Sequence, residues 1–218
     1  ALLITHYHGD HIGSIPKLPK ELPIFMGSVG REIQRLLSNR LKSVSTTHKE
    51  ILLRLEDVRT FEAGKSFAFG PFTIMPIVMD HSAFDAYAFR IEGGGVIAFH
   101  PGDFRTHGFR SKKLPEVIKK YVGEVNYVVC EGTNVSRPTA ASLPEHELQK
   151  QFKKAFAEHK SNIVYVSSTH VDRLFALYHA AVATGRKFIV DNYQMSIMKE
   201  VIKRDKLRSE ERRVGKEC

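Results

Sequence analysis

Cysteine is scarce in this chain, and long apolar runs are absent from it. Two cysteines among 218 residues, Cys130 and Cys218, are too few for a disulfide framework or a zinc-finger ligand set. This scarcity favours a reducing compartment, and we expect the cytoplasm. No run of eighteen apolar residues occurs, so the sequence predicts no membrane-spanning helix. Disulfide-rich secreted domains and helical membrane proteins are the classes that these absences exclude.

A starting methionine is also lacking, and no signal peptide can be read. Ala1 stands inside an apolar pattern typical of a buried strand, so we expect the first strands of the domain to be missing from this chain. At the other end, residues 208–218 have the sequence RSEERRVGKEC, which resembles the in-frame translation of a sequencing-library adapter. We interpret this segment as a non-native tail, the alternative being a native charged helix end.

The composition is that of an ordinary globular domain with an excess of positive charge. Hydrophobic residues make up 42% of the chain and charged residues 26%, which excludes extensive disorder. Lysine and arginine together number 33 against 24 acidic residues, for a formal net charge of +9 at pH 7. This balance favours a polyanionic partner such as nucleic acid, through long-range attraction and counterion release. The oligomeric state stays open, a homo-oligomer included.

Apolar periodicity predicts an α/β fold in two units. Residues 1–140 are expected to form a core of short strands and helices, residues 141–207 a smaller α/β unit, and residues 208–218 the tail. Strands of the core are predicted at residues 1–5, 24–26, 65–69, 72–78, 87–92, 96–99 and 125–130, the last of them buried. One helix is predicted after Ser28, which would act as its N-cap, and another from Lys112 to about Tyr121.

The second unit is predicted to contain a parallel β-α-β motif. Its strands are expected at residues 163–166 and 188–190, and the helix between them at residues 171–184, closed by Gly185. Ahead of this motif, Ser142 and Glu145 have the spacing of a capping box at the start of a further helix. This change of pattern places the boundary between the two units near residue 140.

Side chains that can bind metal are concentrated in one loop after the first strand. This loop holds four of them: His6, His8, Asp10 and His11. Imidazole and carboxylate suit Zn²⁺ and related cations, and two later strands also end in such residues, His81 and Asp103. Because side chains from several strand ends can converge in a sheet, the sequence predicts a metal site built from three loops. The alternative is a polar loop that is rich in histidine by chance.

The spacing His-x-His-x-Asp-His is the signature of the metallo-β-lactamase superfamily. Residues 79–82 (MDHS) and 101–105 (PGDFR) resemble its later motifs, in the same order. The resemblance implies an αββα sandwich with two divalent cations, zinc or manganese. It also implies the ligands: His6, His8 and His81 for one cation, Asp10 and His11 for the other, and Asp103 as the bridge. Asp10 would in addition orient the attacking water, so Asp10 and Asp103 are the expected catalytic residues. The histidine that normally completes the second site has no counterpart after a suitable strand here, which indicates truncation.

Later segments resemble the start of the β-CASP insertion found in nucleases such as ribonuclease J. Glu131 follows a predicted strand in an acidic motif, EGTN, and residues 167–173, SSTHVDR, open the predicted helix of the second unit. A Ser/Thr turn at the start of a helix offers hydroxyl and backbone N–H groups to a phosphate. Five residues are therefore expected to bind substrate: Glu131, Ser167, Ser168, Thr169 and Arg173. The alternative for the Ser/Thr turn is an ordinary helix N-cap.

The expected function is metal-dependent hydrolysis of a phosphodiester in RNA or DNA, with RNA favoured, by a water that the two cations deprotonate. Two alternatives stay open. A small-substrate hydrolase of thioesters, lactones or β-lactams could use the same metal core. A chain that binds polyanions without turnover is the other alternative. The sequence does not distinguish an endonuclease from an exonuclease, or zinc from manganese.

Overall fold

The computed structural model describes residues 1–136 and 142–214, and side chains within this range as far as residue 203. The expected boundary near residue 140 and residues 215–218 of the expected tail lie outside the described residues. None of the helices found in the described ranges combines the length and the apolarity needed to cross a bilayer.

Within residues 1–136 and 142–214, eight strands form two sheets. The first sheet is parallel, with the order β1-β2-β3, and consists of β1 (Leu2–Leu3), β2 (Ile24–Gly27) and β3 (Arg59–Phe61). The second sheet has the order β4-β5-β6-β7-β8 and is antiparallel as far as β7, with β8 parallel to β7. Its strands are β4 (Phe67–Phe69), β5 (Phe72–Val78), β6 (Tyr87–Gly93), β7 (Val96–His100) and β8 (Tyr127–Val128).

Seven α-helices accompany the sheets in the described residues. They are α1 (Gly9–Ile12), α2 (Ser28–Leu41), α3 (Thr46–Arg54), α4 (Leu114–Tyr121), α5 (Glu145–Glu158), α6 (Val171–Ala183) and α7 (Asn192–Val214).

The side chains of β2 alternate between two layers, as successive residues of a strand must. Phe25 lies between the sheets, where its ring stacks on Phe67 of β4 with centroids 5.2 Å apart. Ile24 and Met26 are buried on the other face, in the apolar cluster that contains Ile33 of α2. The first sheet therefore has helices on one face and the second sheet on the other.

The second sheet is covered on its outer face by α4. Ile77 and Ala88 pack with Leu114 of this helix, whereas Ile74 and Phe89 belong to the cluster between the sheets. The layers are helix, sheet, sheet, helix, and the αββα sandwich expected from the sequence is confirmed.

Strand β8 is shorter and more exposed than predicted. Of residues 125–130, Tyr127 and Val128 form the strand paired with β7. Tyr127, Val128 and Val129 are 63%, 61% and 57% exposed. The prediction of a buried strand is wrong, because β8 is the edge of its sheet and no layer of the described chain covers these side chains.

The second unit has its helices where they were predicted, but not its strands. Helices α5 and α6 pack through Phe156 and Leu177, and Gly185 follows α6 with a φ of +66°, as expected for a helix end. The strands predicted at residues 163–166 and 188–190 are wrong, since neither segment is part of a β-ladder in the described residues. Strands form only where a neighbour satisfies their N–H and C=O groups, and these two segments do not pair with one another.

Two predicted helix caps are replaced by distant partners. Ser28 is the first residue of α2 and makes no capping hydrogen bond. The N–H groups of Val29 and Gly30 donate instead to Asp85 Oδ2, at 3.0 and 2.9 Å. The capping box predicted at residues 142–145 is also wrong, because α5 begins at Glu145 without a side-chain cap. The N–H of Glu145 donates instead to the carbonyl of His107, at 2.8 Å. Tertiary contacts thus take over the role assigned to these local motifs.

Candidate metal centre

Three loops meet beside the end of β1. The first, residues 5–11, is tied to the start of β6 by a hydrogen bond from Tyr87 N to Thr5 O of 2.9 Å. The other two follow β5 and β7, and the backbone N–H of Arg105 donates to Asp80 O at 2.7 Å. These contacts bring together the three segments in which the sequence places the ligand-type side chains.

One group of potential ligands consists of His6, His8 and His81. His6 Nε2 lies 3.0 Å from His8 Nδ1, and His8 Nδ1 lies 3.2 Å from His81 Nε2. His81 is 73 residues from His8 along the chain, so the fold brings it to the loop as predicted. The three ring nitrogens face one small volume.

A second group consists of His6, His11 and Asp103. Asp103 Oδ2 lies 3.3 Å from His11 Nε2 and 4.0 Å from His6 Nε2. His6 belongs to both groups, so the two groups adjoin one another. Five of the six predicted ligands are therefore found together.

Asp10 is the sixth predicted ligand, and it lies at the rim. Its Oδ2 is 3.6 Å from His11 Nε2, but its side chain is 77% exposed. It belongs to neither group, because the first turn of α1 directs it towards solvent. Its assignments as a ligand and as a catalytic residue stay predictions.

Burial keeps the central imidazoles neutral. His6 is 1% exposed, and burial, together with the neighbouring His11, His8 and His81, lowers its pKa to about 2. Burial and His8 likewise lower the pKa of His81 to about 4, and burial lowers the pKa of His8. A neutral imidazole has a free lone pair, which is the form that binds a metal ion.

The tautomer of His6 is directed by Thr5. Thr5 Oγ1 lies 3.0 Å from His6 Nδ1, and if the hydroxyl accepts the Nδ1 proton, the lone pair is on Nε2, which faces both groups. A hydrogen bond of this kind to the outer nitrogen is typical of metal-bound histidines. The donor set of imidazoles and one carboxylate, with converging lone pairs, fits a divalent cation of the zinc type.

The chain bends at Gly102, between the end of β7 and Asp103. His100 follows the buried Phe99 at the end of β7, and its Nδ1 accepts a hydrogen bond from Gly102 N, 3.0 Å away. Gly102 has a φ of +61°, and a Cβ there would stand 2.8 Å from Tyr87 O and 3.1 Å from Thr5 Cβ. Only glycine combines this conformation with such close packing, and the resulting bend brings Asp103 to the histidines.

The predicted Ser/Thr turn lies against the ligand loop through Tyr7. The buried Tyr7 hydroxyl donates to Thr169 O at 3.0 Å and accepts from Phe84 N at 3.2 Å, and burial raises the pKa of Tyr7 so that it keeps its proton. The hydroxyl oxygens of Ser167 and Thr169 lie 3.1 Å apart. The cap of α6 is His170, whose Nδ1 accepts from Arg173 N, so the alternative of a Ser or Thr N-cap is wrong.

The other two predicted substrate-binding residues have partners within the protein. Arg173 donates from Nε and Nη2 to Glu145, at 3.0 Å each. Glu131 is exposed and accepts from Thr133 N at 2.7 Å. Neither contact tests binding to a substrate, and both assignments stay predictions.

Sequence reasoning missed the roles of Tyr7 and Arg105 around this centre. Both stand inside or beside recognised motifs, but their partners Thr169 and Asp172 are 162 and 67 residues away. Asp80 and Asp85, two further loop carboxylates that the sequence does not single out, are 1% and 5% exposed. Their hydrogen-bond donors are distant in sequence, so no local sequence pattern predicts that these carboxylates are buried.

Comparison with known proteins gives a family match and a set of relatives. Residues 1–161 match the model of the beta-lactamase superfamily domain. The chain is 27% identical over 203 residues to ribonuclease J of Corynebacterium glutamicum, which covers 89% of the chain and 27% of the relative. It is 26% identical over 201 residues to ribonuclease J of Mycoplasma pneumoniae, which covers 90% of the chain and 34% of the relative. The chain thus spans about a third or less of the length of these relatives.

Among solved structures, the fold resembles a protein of unknown function from Enterococcus faecalis. The TM-score is 0.76 at 16% sequence identity, and the match covers 91% of this chain and 48% of the other. This likeness concerns the fold alone.

Proposed function

The chain belongs to the beta-lactamase superfamily, and from this premise we propose that it is a metal-dependent phosphodiesterase that acts on RNA. Hydrolysis as the reaction is supported by the family and by the two groups of potential metal ligands. RNA as the substrate is supported by the ribonuclease J relatives and by the net charge of +9, which favours polyanions. The β-CASP character of residues 141–207 and a cytoplasmic location belong to the same proposal.

The observation that carries the proposal is the pair of adjoining ligand groups that share His6. We assign His6, His8 and His81 to one cation and His11 with Asp10 to a second, with Asp103 between them. When bound, two such cations, zinc or manganese, would supply a water of lowered pKa and would stabilise negative charge on a phosphate. Asp10, at the exposed rim, would orient this water.

The Ser/Thr turn is the proposed site for the phosphate backbone. Tyr7 fixes the carbonyl of Thr169 next to the ligand loop, which leaves the hydroxyls of Ser167 and Thr169 beside one another. Hydroxyls and helix N-termini bind phosphate oxygens. Ser168, Arg173 and Glu131 complete the proposed contact surface around the RNA strand.

The test is Asp103→Ala, assayed on single-stranded RNA with Zn²⁺ or Mn²⁺ supplied. We expect hydrolysis to fall by roughly a thousandfold or more, because one bridging ligand is lost, while RNA affinity stays nearly constant. Asp57→Ala, an exposed carboxylate in the segment between α3 and β3, is the matched control and should cleave normally.

Cleavage by Asp103→Ala at the wild-type rate would contradict the two-metal proposal. A lactone or thioester hydrolysed by the wild-type chain much faster than RNA would overturn RNA as the substrate and leave the metal hydrolase standing.

A further inference from the structure

A cluster of charged side chains is buried behind the ligand loops. We call it the arginine cluster, and its members are Asp80, Arg105, Glu145, His170, Asp172 and Arg173. The side chains of Asp80, Glu145, Arg105 and Asp172 are 0%, 1%, 10% and 10% exposed. Few charges are buried so deeply in a protein unless they are paired.

Arg105 is the centre of this cluster. Its Nη2 donates to Asp172 Oδ2 at 2.5 Å and its Nη1 to Glu145 Oε1 at 3.2 Å, while its Nε lies 3.6 Å from Asp80 Oδ1. One guanidinium therefore contacts three carboxylates from three parts of the chain. A planar fork of five N–H groups can do this, whereas a lysine ammonium cannot reach the same partners together.

The partners of Arg105 connect the metal centre with the second unit. Arg105 is two residues after Asp103, and Asp80 directly precedes His81. Glu145 opens α5 and Asp172 is in the first turn of α6. The contacts of one side chain thus join the two later ligand loops to the helices that begin beside the Ser/Thr turn.

Asp80 is held in this arrangement from a second side. Its Oδ2 accepts from Gly108 N at 2.8 Å, and the Arg105 N–H donates to its carbonyl oxygen at 2.7 Å. A Cβ at residue 108 would overlap the Asp80 carboxylate, so the loop after Asp103 closes tightly on the loop that carries His81. Movement of Arg105 would therefore move both loops.

Stability alone is a poor reason for such a cluster. Taking several charges out of water costs about as much as their mutual attraction returns, and apolar replacements are often as stable. An apolar core of the same volume could not reproduce the directional hydrogen bonds of this cluster.

We propose that Arg105 is a positioning residue that holds the loops of His81 and Asp103 in register with each other and with the start of α6. Its side chain contacts Asp80, Glu145 and Asp172, and it acts through them. The inference deepens the proposed function and rests on it for the cation, because it explains how the inserted helices and the metal loops keep one geometry.

The experiment compares wild type with Arg105→Met and Arg105→Lys in two measurements made without RNA. The first is titration with Co²⁺, followed by the visible absorption of the bound ion. The second is hydrogen–deuterium exchange in residues 100–110 and 167–175. We expect Arg105→Met to bind Co²⁺ roughly 10-fold to 100-fold more weakly, the usual effect of losing a partner behind the ligands. Hydrogen–deuterium exchange should accelerate in both segments of Arg105→Met. In both measurements, Arg105→Lys should give values between those of wild type and Arg105→Met.

Arg54→Met is the matched control. Arg54 is equally buried, at 8% exposed, and its guanidinium donates to the carbonyls of Lys20 and Pro19, at 3.0 and 3.1 Å. Its loss should lower stability without changing Co²⁺ affinity or exchange in residues 167–175.

Two results would overturn the positioning role: Co²⁺ affinity of Arg105→Met within about twofold of wild type, or unchanged exchange in residues 167–175. If Arg105→Met does not fold, Arg105→Lys is judged by the same two criteria. A wild-type chain that binds Co²⁺ but cleaves no RNA would contradict the proposed function alone.

Discussion

Asp85 is a buried carboxylate that serves two elements at once. Its Oδ2 accepts from the first free N–H groups of α2, at Val29 and Gly30, and its Oδ1 accepts from the Tyr87 hydroxyl at 2.7 Å. A Cβ at Gly27 would overlap this carboxylate, so glycine is needed where β2 turns into α2. The loop that carries His81 is thereby fixed to the first sheet.

Replacing Asp85 by alanine should destabilise the fold by on the order of 3 kcal/mol, because three buried donors would lose their acceptor. Tyr87→Phe removes only one of these hydrogen bonds and should cost about 1 kcal/mol. Urea denaturation followed by circular dichroism measures both. Equal losses for the two variants would show that the helix N–H groups do not depend on Asp85.

At the residue scale, the candidate ligands could be predicted from the sequence, whereas the side chains that hydrogen-bond around them could not. His6, His8 and His11 are close in sequence, so their clustering follows from a single loop. Thr5 and Tyr7 lie in the same loop, but their roles depend on which atoms the folded chain places next to them. The role of a side-chain hydroxyl cannot be predicted from the sequence while its hydrogen-bond partner is unknown.

The helices of the second unit illustrate the scale of elements. Periodic apolar residues predicted α5 and α6, and the two helices pack through those residues. A charge pair joins their first turns, because Glu145 at the first position of α5 accepts from Arg173 of α6. Burial by itself raises the pKa of Glu145, but the hydrogen bonds and charge of Arg173, with His170 and Arg105, bring the pKa below its usual value of 4.5.

The pairing of Glu145 with Arg173 makes the stability of the fold depend on pH. Because the pKa of Glu145 is lower in the folded than in the unfolded chain, the ionised group stabilises the fold fully above the unfolded value of 4.5. This contribution is lost as the pH falls below 4.5 and through the folded pKa. We expect the difference in unfolding free energy between wild type and Glu145→Gln to be largest at neutral pH and to shrink towards pH 3.

Glu147→Gln is the control for this measurement, since Glu147 is an exposed carboxylate of the same helix whose pairing with Lys150 is screened by water. Its effect should be small at every pH. A difference between wild type and Glu145→Gln that stays constant from pH 7 to pH 3 would contradict the assigned shift.

At the scale of the whole molecule, the candidate metal centre lies where loops from the two sheets meet. His6 and His8 follow a strand of the first sheet, whereas His81 and Asp103 follow strands of the second. A cation bound by all of them would connect segments that separate on unfolding. Metal binding is therefore expected to be linked to global stability.

Zn²⁺ at a free concentration 100-fold above its dissociation constant should stabilise the fold by about 2.7 kcal/mol, and a chelator should remove this gain. His81→Ala should abolish most of the response, while His159→Ala, an exposed position at the end of α5, should retain it. Thermal unfolding with and without Zn²⁺ provides the measurement. An unchanged melting temperature of wild type on addition of Zn²⁺ would contradict the assigned centre.

The sequence by itself determined helices α2, α4, α5 and α6, most strands of the sandwich and the candidate metal-binding side chains. These features depend on residues a few positions apart, where apolar period and ligand spacing act locally. The αββα arrangement was predicted from the resemblance of the motifs and their order to the superfamily. It was not predicted from the packing of the individual strands and helices.

Only the tertiary structure decided which segments pair and which charges are buried. Residues 163–166 and 188–190 have the composition of strands but no partner strand within the described part of the chain, and hydrogen bonding between strands joins segments that are distant in sequence. Asp85 caps a helix that lies 56 residues earlier, and Arg105 binds Asp172 at 67 residues. Such contacts arise when the layers close, since only then do donors and acceptors from distant segments share one buried space.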